Sequence, residues 1–136
     1  LIAAFMAGLS TGAWLHNKKY AGPPVPIRRL SSLSLAQAGV AGLAVLAVAL
    51  RVPAAVLYIP GLLFAGGLIN GLYFCSILGL LDDKKAGAAY ALDLIGSSLA
   101  AVTVSVILIP LAGGVLTLLG LMALSLVVAA GMRTVK

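Results

Sequence analysis

Apolar residues along this chain come in runs too long for a strand and too continuous for one face of a soluble helix. Five such runs are separated by short polar or proline-containing breaks: Leu1–Leu15, Leu33–Val52, Ala54–Leu81, Ala88–Ile109 and Leu111–Met132. A helix crosses the hydrocarbon core of a bilayer with about 20 mostly apolar residues at a rise of about 1.5 Å each. The last four runs reach that length. The first covers only about 22 Å, short of the roughly 30 Å core. Ala54–Leu81 contains Pro60 and has length to spare for a tilt or kink. The pattern predicts an all-α polytopic integral membrane helix bundle of about five transmembrane helices, a single domain over residues 1–136. Leu1 opens inside an apolar run, which reads as part of a longer protein or assembly.

Composition points the same way. The chain is 62% hydrophobic and 9% charged, against about 25% charged in globular domains. Its net charge of +6 would suggest nucleic acid in a soluble chain, but here the bases lie in short breaks between apolar runs. With five spans, loop 16–32, loop 82–87 and the tail fall on one side. They hold Lys18, Lys19, Arg28, Arg29, Lys84, Lys85, Arg133 and Lys136, leaving Arg51 alone on the other. Short loops rich in Lys and Arg stay cytoplasmic, so the C-terminus is predicted cytoplasmic. Pro23, Pro24 and Pro26 forbid a regular helix in loop 16–32. That loop fixes orientation or, on a sharper reading, contacts anionic lipid or a partner. Ser32 or Ser34 is expected to cap the second span, and Arg51 to snorkel at its far end.

Chemistry-bearing residues are few. There is one cysteine, Cys75, and one histidine, His16. No disulfide can form within the chain, and no His/Cys ligand cluster exists, so no metal site and no cofactor are expected. No P-loop, GxGxxG or Ser/His/Asp arrangement is present, and the chain is not expected to be an enzyme. Asp82 and Asp83 adjoin two lysines and read as a solvated loop.

What remains is small residues and a few intramembrane polar groups. Ala4, Gly8 and Gly12 recur every four residues, as do Gly67, Gly71, Cys75 and Gly79, and Gly96 pairs with Ala100. Such stripes let helix backbones approach closely. Asp93 shares a face with Ser97, Ala101 and Ser105. An acid at membrane depth is a site candidate by default; the alternative is a structural acid bonded to a neighbouring helix end or to Tyr90. The solute or proton candidates are Asp93, Tyr90, Ser97 and Asn70.

Two stretches resemble a known family. AFMAGLSTGAWL (Ala4–Leu15) resembles the FMAGLALG-type helix of bacterial fused major-facilitator/spermidine-synthase-like membrane proteins. GAAYALDLIGSSLAAVTVSVILIPLAGG (Gly87–Gly114) resembles that family's Tyr-Ala-x-Asp-Leu-x-Gly pattern, followed by small residues, an apolar run, Pro and Gly. GLYFCSILGL (Gly71–Leu80) falls where the family has an apolar Gly-x-x-Phe segment. The resemblance covers most of the chain and carries over Tyr90, Asp93 and Gly96. It implies a location in the bacterial inner membrane. Family members also carry a soluble aminopropyltransferase-like domain that has no counterpart here. The major-facilitator loop motif has an acid where this chain has His16.

Two functions follow as expectations. One is the membrane domain of a spermidine-synthase-like protein that moves, or helps to move, a small solute or proton. The other is a non-catalytic membrane scaffold or anchor subunit of a larger complex. The expected partners are the lipid bilayer and other membrane subunits or a second copy of the chain, with no nucleic acid.

Overall fold

The computed structural model describes residues 1–20, 26–50, 55–81 and 83–134. Pro23, Pro24, Arg51, Pro53, Asp82 and Lys136 lie outside the described residues. The described chain is helical throughout: α1 (Ile2–Tyr20), α2 (Ile27–Ala49), α3 (Ala55–Leu78), α4 (Asp83–Val102), a π-helical turn (Thr103–Leu108) and α5 (Ile109–Thr134). Three helical stretches are long and apolar enough to cross a membrane: Arg28–Ala49, Tyr58–Leu78 and Lys85–Thr134. That is fewer than the five expected, for two physical reasons. The helix that begins the chain runs on through His16, Asn17, Lys18 and Lys19, so its apolar part is short. The fourth and fifth expected spans are one run of 50 residues, because Pro110 does not end a helix here.

A proline inside a helix removes one hydrogen bond, and its ring clashes with the carbonyl four residues back, at a cost of about 3 kcal/mol. The π turn relieves the clash. The Ile109 N–H bonds to the Val104 carbonyl, which widens the turn where the Pro110 ring would meet Val106. Helix is broken instead at Gly113, with φ 77° and ψ 162°. The Thr117 hydroxyl donates to the Gly113 carbonyl at 2.9 Å and holds the break in place.

The expected loop 16–32 is shorter than its prolines suggest. Lys18 and Lys19 sit in the last turn of α1, where cations suit the helix dipole. Pro26 precedes α2 with extended ψ and no side-chain cap. Neither expected cap therefore starts that helix: Ser32 donates to the Arg29 carbonyl at 2.8 Å, and Ser34 is buried further along.

The helices pack through small residues. A Cβ at Gly8 would collide with the Phe64 carbonyl, at Gly12 with that of Leu68, at Gly67 with that of Phe5 and at Gly71 with that of Leu9. Each four-residue step along α1 meets a four-residue step along α3 in the same direction, so these two helices run parallel. Helix α2 runs antiparallel to α5: Ser31 meets Ala129 and Arg133, while Gly42 faces Met122. Tyr73, near the end of α3, reaches Met132 in the last turns of α5 at 3.9 Å. The C-terminal ends of α1, α3 and α5 and the N-terminal end of α2 thus lie together. Helix α4 begins there too, just after α3, with its Tyr90 ring edge-on to Phe74 at 6.0 Å.

The interior is small and partly polar: Leu30, Ser31, Ser34, Ala38, Ser76, Thr117 and Ala129 are buried. The large apolar side chains face outward, among them Leu92, Leu99, Val106, Leu116 and Val127. A water-soluble fold does not display a continuous apolar surface of this extent. A helix bundle in lipid does, because lipid tails are as apolar as leucine and the contacts between helices fall to small residues.

Candidate functional site: a polar cleft between three helices

The four candidates from the sequence do not form one site. Asp93, Tyr90 and Ser97 all lie on α4, where they are exposed. Tyr90 lies edge-on to Phe74, and the Ser97 hydroxyl donates to the Leu94 carbonyl of its own helix at 3.1 Å. None of them lines the cleft formed by α2, α3 and α5. Gly96 has open space where its side chain would be, and Gly79 meets only carbonyls of its own helix. Neither is at a helix crossing, unlike Gly8, Gly12, Gly67 and Gly71.

Asn70 lies elsewhere. It lines a cavity of about 180 Å³ between α2, α3 and α5, together with Ser34, Gln37, Tyr73 and Ser125. Helix phase explains the grouping. Ser34 and Gln37 are three residues apart on one face of α2, and Asn70 and Tyr73 repeat that spacing on α3. Ser125 closes the site from α5. A second, mostly apolar cavity of about 360 Å³ adjoins it and shares Gln37 and Ser125.

The electrostatics are those of dipoles, since no charged side chain is among the described residues lining the cleft. The Ser125 hydroxyl is donated to the Leu121 carbonyl at 2.9 Å and keeps its lone pairs. Gln37 is the exception to local satisfaction: its Oε1 is buried and has no hydrogen-bond partner. An unpaired buried acceptor costs about 1–3 kcal/mol. With an uncharged lining that offers the Asn70 amide and the Tyr73 and Ser125 hydroxyl oxygens, the cleft suits a small, uncharged polar molecule.

Sequence reasoning singled out Asn70 and missed Gln37, Tyr73 and Ser125. The available signal was the pair of amides, Gln37 and Asn70, inside otherwise apolar runs, where polar groups are expensive. Among the described residues no three His, Cys, Asp or Glu side chains gather as metal ligands. Set against known proteins, the chain matches no family model, no curated protein and no solved structure.

Proposed function

We propose that this chain is a membrane-embedded helical domain that takes a small uncharged polar solute into the α2–α3–α5 cleft and moves it, or helps a partner to move it, across the bilayer. The observation that carries the reading is the cavity of about 180 Å³ between α2, α3 and α5, which gathers Ser34, Gln37, Asn70, Tyr73 and Ser125 among otherwise apolar helices. Five membrane passages fit the chain's course. Helices α1, α3 and α5 end at one end of the bundle, where α2 and α4 begin. A straight run of 50 residues would be about 75 Å long, more than twice the roughly 30 Å core, and the Gly113 break lets it leave and return. The bases gathered at that end favour a cytoplasmic side for it and for the C-terminus. The resemblance at Tyr90, Asp93 and Gly96 favours the membrane domain of a bacterial spermidine-synthase-like protein.

A second reading, a scaffold or anchor subunit, has its own observation. Asp93 is exposed on α4, ten residues past the helix start and so about 15 Å along it. An acid facing lipid at that depth costs about 2.5–3.5 kcal/mol, so a neighbouring chain covering α4 would relieve it.

The test is osmotic swelling of proteoliposomes with glycerol and urea as probes. The full chain is expected to raise flux about tenfold over empty vesicles, and Gln37→Leu to abolish the gain while stabilising the fold by about 1–3 kcal/mol. Loss of flux together with a gain in stability separates a binding role from a packing role. Flux no higher than in empty vesicles rejects the transport reading. Flux lost in Asp93→Asn and kept in Gln37→Leu moves the pathway to α4.

A further inference from the structure

A second cavity, also of about 180 Å³, opens between α1, α2 and α3 at the basic end of the bundle. It is built in two layers. Lys19, Arg29 and Ser76 form the outer one, with His16 beside them, and Leu15, Leu33 and Leu72 form the inner one. On each of the three helices the leucine lies four residues deeper than its polar counterpart, one turn and about 6 Å further into the bundle. No acidic side chain is among the described lining residues. The result is a basic rim over an apolar floor, with one rung contributed by every helix.

From this layered arrangement we infer a binding site for a phosphate group, with Arg29 and Lys19 as its charged ligands and the leucine floor receiving the first methylenes of an attached acyl chain. Arg29 offers a planar fork that matches two phosphate oxygens, and Lys19 a point charge. His16, Lys19 and Arg29 each also engage another group of the chain. The Ser76 hydroxyl is already donated to the Leu72 carbonyl at 2.7 Å, so recognition falls to the bases. Burial, and then the neighbouring Arg29 guanidinium, hold His16 below its ordinary value of 6.5. At pH 7.5 the imidazole is therefore neutral and serves as a hydrogen-bonding wall. The nearby bases outside the cavity have other positions: Lys18 lies over the Trp14 ring at 4.9 Å, Arg133 donates to Ser31 at 3.1 Å, and Arg28 is exposed. They strengthen the local positive field without lining the site.

The phosphate can come from the headgroup of an anionic lipid or from a soluble phosphate, and native mass spectrometry of the full chain in detergent distinguishes the two. Phosphatidylglycerol, phosphatidylcholine and inorganic phosphate are the probes, at pH 7.5 and about 0.15 M salt, where exposed charges are screened beyond about 8 Å. One phosphatidylglycerol is expected to be retained, at least about tenfold over phosphatidylcholine, because the bases repel the choline ammonium. Arg29→Gln and Lys19→Gln are each expected to weaken retention about tenfold, and Arg28→Gln no more than about threefold. Lys19 is exposed, so Lys19→Gln keeps the test valid even where Arg29→Gln perturbs the fold. Retained lipid that millimolar inorganic phosphate does not displace supports the site with a lipid source; displacement supports it with a soluble source. Equal losses in Arg28→Gln, Arg29→Gln and Lys19→Gln would show a diffuse surface field and overturn the site. So would no retention of phosphatidylglycerol over phosphatidylcholine together with no binding of inorganic phosphate.

Discussion

Gly71→Leu is expected to detach α1 from α3, at a cost of about 3 kcal/mol or more. The reason lies in what a side chain at Gly71 would meet. Its Cβ would fall onto the Leu9 carbonyl, with the Ala13 nitrogen 3.0 Å away. These are backbone atoms of the partner helix and cannot rotate aside as a side-chain tip would. The same holds at Gly8, Gly12 and Gly67, each facing backbone across the crossing. Even Gly12→Ala should be net destabilising, although alanine favours helix over glycine by about 1 kcal/mol. The contrast is with Gly61, Gly96 and Gly120, where a Cβ would have nothing within 4 Å. Alanine there should be neutral or stabilise by up to about 1 kcal/mol. Trp14 on α1 provides the readout: its emission during SDS-induced unfolding should shift early in the crossing variants and stay unchanged in the others. Equal destabilisation across both groups would show that the crossing is not what holds α1.

Gly113→Val should have the second large effect, by a different mechanism. Space is not limiting there, since nothing lies within 4 Å of the added carbon. The obstacle is the backbone, because φ 77° with ψ 162° is a region that essentially only glycine occupies. A residue with a side chain costs about 1–3 kcal/mol there, and a β-branched one sits at the upper end. The relaxed alternative is to straighten, joining α4 and α5 into a single long rod. The end of α5 would then leave Tyr73 and Ser31. A short bis-maleimide across Tyr73→Cys and Met132→Cys, with Cys75→Ala, should crosslink the parent chain and fail after Gly113→Val. Gly114→Ala is the matched control, one residue on with helical backbone, and should crosslink normally. Full crosslinking in Gly113→Val would mean that the reversal does not depend on glycine.

Much of the fold is legible in residue spacing, because helix geometry is local. Runs of about 20 apolar residues mark α2 and α3, and glycines four apart in two helices mark the faces on which α1 and α3 meet. Pro110 shows where locality misleads. A proline after a long apolar run reads as a helix end, yet a widened turn upstream accommodates its ring, and the reversal falls three residues later at Gly113. Prolines 23, 24 and 26 mislead less severely, since the helices on both sides extend into the expected loop. The cleft is the least legible feature. Gln37, Asn70 and Ser125 come from three helices far apart in the chain, and only the packing of α2 against α3 and α5 makes them neighbours. Asp93 is the conspicuous residue in one dimension because it is the only acid within an apolar run. Its helix is exposed along most of its length, and the polar cavity lies elsewhere.

In the proposed membrane arrangement α1, α3 and α5 all end on one side of the bilayer, at the basic end of the bundle. Cysteine accessibility in sealed, oriented vesicles tests this most directly. Single cysteines at Lys18, Thr134, Leu50 and Leu111 are placed in a Cys75→Ala background and treated with a membrane-impermeant maleimide. The arrangement predicts that Lys18→Cys and Thr134→Cys are labelled only from the cytoplasmic side, and Leu50→Cys and Leu111→Cys only from the other. Labelling of Lys18→Cys and Thr134→Cys from opposite sides would contradict it, because the shared end of α1 and α5 could not then lie on one face of the membrane.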